Sequence, residues 1–353
     1  MFKFNQNIRI GKIVLSQKSP ACFIAEVGVN HNGDFEVAKK LIDAAKYAGA
    51  DIVKFQTFSA DDTMSDKKAA FSYKVNGKVV TERLHAMFER LALPLEWHQK
   101  LLRYAQKKNI QFLSTPCHLA AVDLLEDLNV PAYKIGSGDL TSIDLLTAVA
   151  QTKKPVLVST GMARKEEIDK VVAIFQRLKN SNLVLLQCTA VYPAPAGEVN
   201  LNRMLSLKER YKTLVGFSDH SEGPEAVLGS IYMGAVVVEK HFTLSKKMAG
   251  PDHQFSIEPK ELKILIEKIR HAEKLKGSSQ LRESKTETRE RLRFRRSIVA
   301  ARDLKAGIKL RQEDLYYKRP GGGVSPFDRD QLIGKIIKRS VTKDSPILLS
   351  LVF

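Results

Sequence analysis

The chain has 353 residues, 44% of them hydrophobic, and a formal net charge of +18. That length holds one large domain plus a small one, and the apolar content excludes disordered and collagen-like classes. With no run of 18 apolar residues and no leader pattern, a cytoplasmic protein with no membrane partner is expected. Three widely spaced cysteines, Cys22, Cys117 and Cys188, form no CxxC pair and no disulfide framework. The basic balance comes without zinc-finger spacing, an RNA-binding aromatic signature or a basic amphipathic helix, so no nucleic-acid partner is expected.

After a short lead-in that can form a hairpin, one pattern recurs eight times. An apolar, β-rich run ends in polar or small residues, and a helical pattern follows it. The runs cover residues 23–28, 51–57, 110–116, 132–138, 155–161, 183–189, 214–220 and 235–242. They are near-continuous in apolar residues, as parallel strands buried on both faces should be. Between the first two, residues 35–48 place Val37, Ala38, Leu41, Ile42, Ala45 and Ala48 on one helical face, with Gly49 where a left-handed C′ residue is wanted. Residues 166–178 and 260–276 carry the same period. Eight strand–helix units in about 250 residues match the size of a (β/α)8 TIM barrel, and no Gly-x-Gly-x-x-Gly follows the first strand to favour an open doubly wound sheet.

One connection, residues 58–109, is long; it opens polar and turns helical from about Thr81. It follows a strand C-terminus, which puts it over the active face of a barrel. The barrel pattern stops near Lys276. The chain then reads as a TIM-barrel domain over 1–276, a charged linker over 277–293 that includes the basic run RERLRFRR, and a small mostly-β domain over 294–353.

Chemistry in such a barrel sits at the strand C-termini. Those ends spell Glu26, Asn30 and His31; Lys54 and Gln56; Ser114 and Thr115; Lys134, Ser137 and Asp139; Ser159 and Thr160; Thr189 and Tyr192; Ser218, Asp219 and His220; Glu239, Lys240 and His241. Two lysines with several hydroxyls and glycine-opened amides make an anion cradle for phosphate or carboxylate. His220 and His241 end the last two strands, so they either cap them or share a metal ion. With no cysteine at the tips, Mn²⁺, Mg²⁺, Fe²⁺ or Co²⁺ is favoured over structural zinc, and open coordination positions suit a Lewis acid on a carbonyl. The pattern implies a metal-assisted reaction between a phosphorylated or carboxylated small molecule and a carbonyl compound.

The segments AEVGVNHNGD (25–34), VKFQTF (53–58), FLSTP (112–116), YKIGSGD (133–139), VSTGMA (158–163), GFSDH (216–220), EKHFTL (239–244), GPDH (250–253) and KRPGGG (318–323) together closely resemble the N-acetylneuraminate (sialic acid) synthase family. The resemblance spans essentially the whole chain, including a C-terminal domain similar to the antifreeze-like (SAF) module. It implies condensation of phosphoenolpyruvate with an N-acylated hexosamine and water, releasing phosphate, with N-acetylmannosamine first among the sugars and N-acetylneuraminate the product. The alternative it implies is a legionaminate or pseudaminate synthase using a diacylamino-dideoxyhexose, which lacks the 6-hydroxyl. By motif match His220 and His241 resemble the metal ligands, for Mn²⁺ ahead of Mg²⁺ or Co²⁺. Lys54, Thr115, Lys134, Ser137, Ser159 and Ser218 resemble the phosphoenolpyruvate contacts, Lys54 also counting as catalytic. Glu26, Gln56, Asp139, Tyr192 and Asp252 resemble sugar contacts or acid/base groups, with Glu26 foremost. Arg319 resembles an arginine that reaches the other subunit's sugar, which implies a domain-swapped homodimer. Three positions depart from the family pattern: Asp139 where many members have Glu, Ala190 where some have Asn, and Cys117 in place of a common Phe.

Overall fold

Eight parallel strands frame the N-terminal unit: β1 (Cys22–Gly28), β2 (Ile52–Thr57), β3 (Gln111–Pro116), β4 (Tyr133–Ile135), β5 (Val156–Ser159), β6 (Leu183–Cys188), β7 (Leu214–Asp219) and β8 (Val237–His241). They pair in the order β3-β2-β1-β8-β7-β6-β5-β4. The two end strands lie side by side, which closes the ring into a TIM barrel. The computed structural model describes residues 2–75 and 77–353. By its internal contacts the chain divides into one unit ending at Gly277 and a second, Ser278–Phe353.

Strand parity decides what the barrel holds. Outward residues such as Phe23, Ala25, Val53, Phe55, Phe112, Val158, Leu185 and Phe217 pack under the surrounding helices. Inward residues Cys22, Ile24, Ile52, Leu113, Ala132, Leu157, Val184, Leu186, Leu214 and Val237 form a second core inside the ring. The antiparallel hairpin Ile8–Ile10/Ile13–Leu15 adds Ile8, Ile10 and Leu15 to that inner core and seals its lower end. Two residues further along each strand (four on β7, past Gly216), on the same inward parity, stand Glu26, Lys54, Thr115, Lys134, Ser159, Cys188, Ser218 and Glu239. The interior therefore changes from apolar to charged at one height.

Local signals behave as the sequence requires. The helix Phe35–Ala48 starts at Asp34, whose side chain accepts from the backbone N–H of Glu36 and Val37, and stops at Gly49 with φ 92°. Some boundaries differ from expectation. The fourth strand is only three residues long because Ser137–Asp139 turns into a 3-10 helix. Inside the 58–109 connection, where a polar loop was expected, Ala70–Val75 and Lys78–Arg83 pair as an antiparallel hairpin ahead of the helices Leu84–Leu91 and Leu95–Lys107. Asn76, at its turn, lies outside the described residues. The stretch expected to be linker holds a helix, Lys285–Phe294, started by a capping box between Ser284 and Glu287.

The C-terminal unit is small and mostly β. Ser297–Ala300 pairs antiparallel with Leu315–Lys318, and further single bridges join Leu304 to Val341, Lys309 to Ile336 and Ile337 to Val352. Its core gathers Ile298, Ala300, Leu304, Leu310, Leu332, Ile337 and Ile347. A buried Asp314, held by Arg302, ties the turn before the second strand. Among the described residues, no helix of the chain is long and apolar enough to cross a membrane.

Gly216 marks where the ring is tightest. A Cβ there would lie 2.5 Å from Val237 Cγ1 and its carbonyl oxygen, and 2.6 Å from Leu186 Cδ2. Gly216→Ala should cost about 3 kcal/mol, the upper end of the overpacking range. Urea unfolding checks this: the midpoint should fall, and an unchanged midpoint would show that the interior has slack the structure does not.

Candidate active site

The charged layer centres on two lysines. Lys54, 2% exposed, pairs with Glu26 Oε2 at 2.7 Å, donates to Thr115 Oγ1 at 2.8 Å, and lies 3.8 Å from Glu239 Oε1. Lys134, 3% exposed, lies 3.5 Å from the same Glu239 oxygen, to which Ser218 Oγ also donates at 3.3 Å. Gln56 Nε2 donates to Glu26 Oε1 at 2.9 Å. Strand register explains the grouping: Glu26 is level with Lys54 and with His241, Gln56 with Thr115, and Ser218 with Glu239.

Beside the cradle, Ser137 Oγ accepts from the backbone N–H of Gly161 at 3.0 Å. Ser159 Oγ is buried with no partner in the protein. Cys117 and Asp139 form a separate pair next to Lys134. Burial and the nearby Asp139 push the Cys117 thiol up to about 12, so it is no nucleophile, and burial also raises Asp139.

His220 and His241 end β7 and β8 with ring centroids 5.4 Å apart. The Nδ1–H of His220 donates to Thr189 O at 2.8 Å, which leaves Nε2 as the free lone pair. His241 Nδ1 is buried without a hydrogen bond and lies 3.6 Å from Asp252 Oδ2. Burial lowers the pKa of both rings, for His241 with the added repulsion of His220 and Lys54, so both are neutral. A neutral imidazole pair with an orphaned buried nitrogen fits a divalent cation. Among the described residues no group of three or more His, Cys, Asp and Glu has metal-site geometry, so a cation at this place would have the two histidines as its protein ligands.

The carboxylates divide by environment. Burial raises Glu26, and the nearby Glu239 adds to the rise, against the pull of Lys54. Glu239 is equally buried, but Lys134 and Lys54 outweigh the burial and hold it below its ordinary value. Burial, helped by Glu26, pushes Asp252 up to about 7.

A second buried ion pair supports the site from behind. Lys240 pairs with Asp219 and donates to Ser221 O, while Asp219 Oδ1 accepts from the N–H and the hydroxyl of Ser221. The loop carrying Asp252 is clasped to the loop after β1. His253 meets Thr243 Oγ1 at 2.7 Å and Asn32 Oδ1 at 3.2 Å, Asn32 donates to Ala249 O, and Asn30 donates to Phe242 O and Ser256 Oγ.

Above these groups opens a cavity of about 800 Å³. Gln56, Tyr192, His241 and Asp252 line one end, Phe58, Phe71, Met87, Phe88, Leu91 and Phe255 form an apolar wall, and Ser72, Tyr73, Glu222 and Gln254 add polar groups to the lining. The half-exposed Tyr192 packs against His220 with centroids 4.1 Å apart and the rings tilted by 38°. Of the anticipated residues, Gln56, Tyr192, His241 and Asp252 line the cavity itself. Glu26 joins them through Gln56, Lys54 and Thr115 through Glu26, and His220 through Tyr192 and His241. Lys134 and Ser218 meet that group at Glu239, Ser137 and Ser159 belong to the neighbouring strand ends, and Asp139 stands against Cys117. Arg319 belongs to the C-terminal unit, in the loop after Leu315–Lys318. In the sequence Glu239 is a strand end without a role; its parity with His241 is the signal that it faces inward. The hairpin at the cavity has a signal too, Asn76-Gly77 between two β-prone runs.

Comparison with known proteins follows the same outline. The NeuB family model matches residues 41–281 and the SAF domain model residues 295–352. An N,N'-diacetyllegionaminic acid synthase of Campylobacter jejuni is 42% identical over 326 residues, covering 92% of this chain and 98% of its own. A pseudaminic acid synthase of the same species is 36% identical over 90% of this chain and 92% of its own. The crystal structure of an N-acetylneuraminic acid (sialic acid) synthetase from Leptospira borgpetersenii, in complex with citrate, superposes with TM-score 0.74 at 31% identity, over 82% of this chain and 96% of that one.

The His253 clasp makes stability depend on pH. Burial lowers His253 from 6.5 to about 4. Between those values the unfolded chain binds a proton that the folded chain refuses, so this contribution is complete above pH 6.5 and is lost as pH falls towards 4. The loss amounts to roughly 3 kcal/mol for a shift of that size. Urea unfolding at pH 7 and pH 4.5 measures it: His253→Gln should show a smaller difference between the two than the unaltered chain, and an equal difference would remove His253 as the cause.

Proposed function

The chain belongs to the NeuB family, and on that premise we propose that it condenses phosphoenolpyruvate with the open-chain form of an N-acylated hexosamine to give a nonulosonate and inorganic phosphate. It is a phosphoenolpyruvate-dependent enzyme that forms a C–C bond. The observation that carries the proposal is the pair of buried lysines beneath two neutral histidines at one end of a closed barrel.

In this reading Lys54, Lys134, Thr115, Ser137, Ser159 and Ser218 hold the phosphate and carboxylate of phosphoenolpyruvate. The buried hydroxyl of Ser159, without a partner in the protein, is one donor such an anion satisfies. His220 and His241 hold a divalent cation, Mn²⁺ ahead of Mg²⁺ or Co²⁺, which when bound acts as a Lewis acid on the sugar's aldehyde. The methylene carbon of phosphoenolpyruvate bonds to the aldehyde carbon, water adds at the carbon bearing phosphate, and phosphate leaves with C–O cleavage. Glu26, held up by burial while touching Lys54 and Gln56, is placed to pass a proton at the aldehyde oxygen or the incoming water. Gln56, Tyr192 and Asp252 position the sugar. Asp139 is assigned to the phosphate side, next to Lys134, rather than to the sugar.

The apolar wall of Phe58, Phe71, Met87, Phe88 and Leu91 bears on which sugar is used. It offers little to a 6-hydroxyl and suits a methyl carbon and a second acyl group. Together with the 42% identical legionaminic acid synthase, this supports a diacylamino-dideoxyhexose ahead of N-acetylmannosamine. Purified protein with phosphoenolpyruvate and Mn²⁺ should release phosphate with the diacylated sugar at a kcat/KM at least about tenfold above that with N-acetylmannosamine, the size of effect an apolar pocket gives. The reverse order would reassign the sugar, and no release with any such sugar would end the proposal.

The homodimer is part of the same reading, with Arg319 serving the other subunit's sugar. Arg319→Ala should raise KM for the sugar and leave phosphoenolpyruvate binding intact, and His220→Ala should abolish metal-dependent turnover. At a sugar concentration well below the raised KM, mixing the two variants should give more activity than either alone, through hybrid dimers. No recovery, with mixed dimers demonstrated by mass spectrometry, would confine Arg319 to its own subunit or to no role.

A further inference from the structure

The anion cradle is already occupied by the protein's own carboxylates. Glu239 Oε1 is the meeting point of three donors from three strands: Ser218 Oγ at 3.3 Å, Lys134 Nζ at 3.5 Å and Lys54 Nζ at 3.8 Å. All three contacts are longer than a good charge-assisted hydrogen bond, which runs about 2.7–2.9 Å. Glu26, by contrast, meets Lys54 at 2.7 Å. The other Glu239 oxygen, Oε2, is buried and has no hydrogen-bond partner. The centre thus holds one oxygen where three donors converge loosely and one oxygen with none, in a residue 6% exposed.

We propose that Glu239 is a positioning residue that acts as an exchangeable internal counter-ion, holding Lys54, Lys134 and Ser218 ready and ceding them to the substrate's anionic group. This rests on the reading that the two lysines receive phosphoenolpyruvate. Its physical basis is competition. Two buried cations facing two buried carboxylates already balance, so an arriving anion finds positive potential only if one carboxylate lets go. Glu26 is held at 2.7 Å by Lys54 and at 2.9 Å by Gln56, whereas the contacts of Glu239 run from 3.3 to 3.8 Å. Glu239 is the one released. Without a counter-ion the two ammonium groups would repel each other and drift from the positions that a substrate needs.

The test is calorimetric binding of phosphoenolpyruvate to the full chain, kept metal-free by chelator, for the unaltered protein and Glu239→Gln. The amide keeps the shape and one acceptor and removes the competing charge. Affinity should rise at least fivefold in the variant, a gain that damage to a merely structural residue would not produce. Equal or weaker binding in a folded variant, with the unaltered protein binding, overturns the inference and leaves the functional reading standing. No binding by either protein removes that reading and the inference with it. Should Glu239→Gln fail to fold, a crystal structure of the unaltered chain with phosphoenolpyruvate decides. Lys134 Nζ on the ligand, with Glu239 beyond ion-pair distance of about 4 Å, supports the exchange, and Glu239 still within it refutes the exchange.

Discussion

Two ammonium groups, on Lys54 and Lys134, end inside a closed barrel where water hardly reaches, and the upper layer of the molecule answers to that. Taking a charged group out of water costs several kcal/mol even after relaxation. A pair such as Lys54–Glu26 at 2.7 Å regains roughly 6 kcal/mol at an effective dielectric of 20. Gain and cost are of one size, so the ion pairs do little for stability. The folding free energy comes from apolar burial: the large core between strands and helices, and below the charged layer the inward ring of Ile24, Ile52, Leu113, Leu157, Val184, Leu186 and Val237, sealed by Ile8, Ile10 and Leu15. The floor carries the barrel so that the upper layer can be spent on charge.

The same crowding sorts the ionisable groups into roles. Each sits at a similar depth, so what separates them is which neighbours face it. Glu239 looks at both lysines and is held ionised; Glu26 shares Lys54 with Glu239 and is raised; Asp252, buried and facing Glu26, is pushed up to about 7. The histidines lie on the cationic side and are held neutral, with lone pairs available. Pairs of like groups driven apart by their surroundings are the usual mark of an acid–base centre.

Much of this was legible in the sequence, for a definable reason. Strand tips of a parallel barrel are local features: an apolar run followed by Lys-Phe-Gln or Asp-His announces its own end, and the fold brings eight such ends to one rim. Glu26, Lys54, Thr115, Lys134, Ser218, His220 and His241 could therefore be found without contacts. What was not legible depended on partners. Glu239 looked like any polar residue before a histidine, and its place between two lysines exists only through pairing with Ser218 across β7 and β8. The hairpin Ala70–Val75/Lys78–Arg83 carries a local sign, Asn-Gly between two β-prone runs, but the satellite core of Val29, Phe58, Met87 and Leu91 that holds it is drawn from distant positions and cannot be read locally. The helix Lys285–Phe294 buries none of its residues, so it showed no amphipathic period to distinguish it from a charged linker.

The division between strands and loops also separates what the site does to every substrate from what it accepts. Lys54, Lys134, Thr115, Ser218 and Glu239 all sit on or at the ends of strands, locked by ladder hydrogen bonds on both sides, where a shift of one residue would turn each side chain out of the barrel. Tyr192, Asp252 and the hydrophobic wall sit on connections, tied down by a few side-chain bonds such as those of His253 and Asn32. Changing the wall at Phe71 or Met87 disturbs a satellite cluster and the roof hairpin, not the inner core, because the two share no residue. Changing Gly216 or Glu239 disturbs the ring itself. A barrel built this way can alter its roof while the charged layer on the strands stays as it is, and the size of the 58–109 connection is the room in which that change is made.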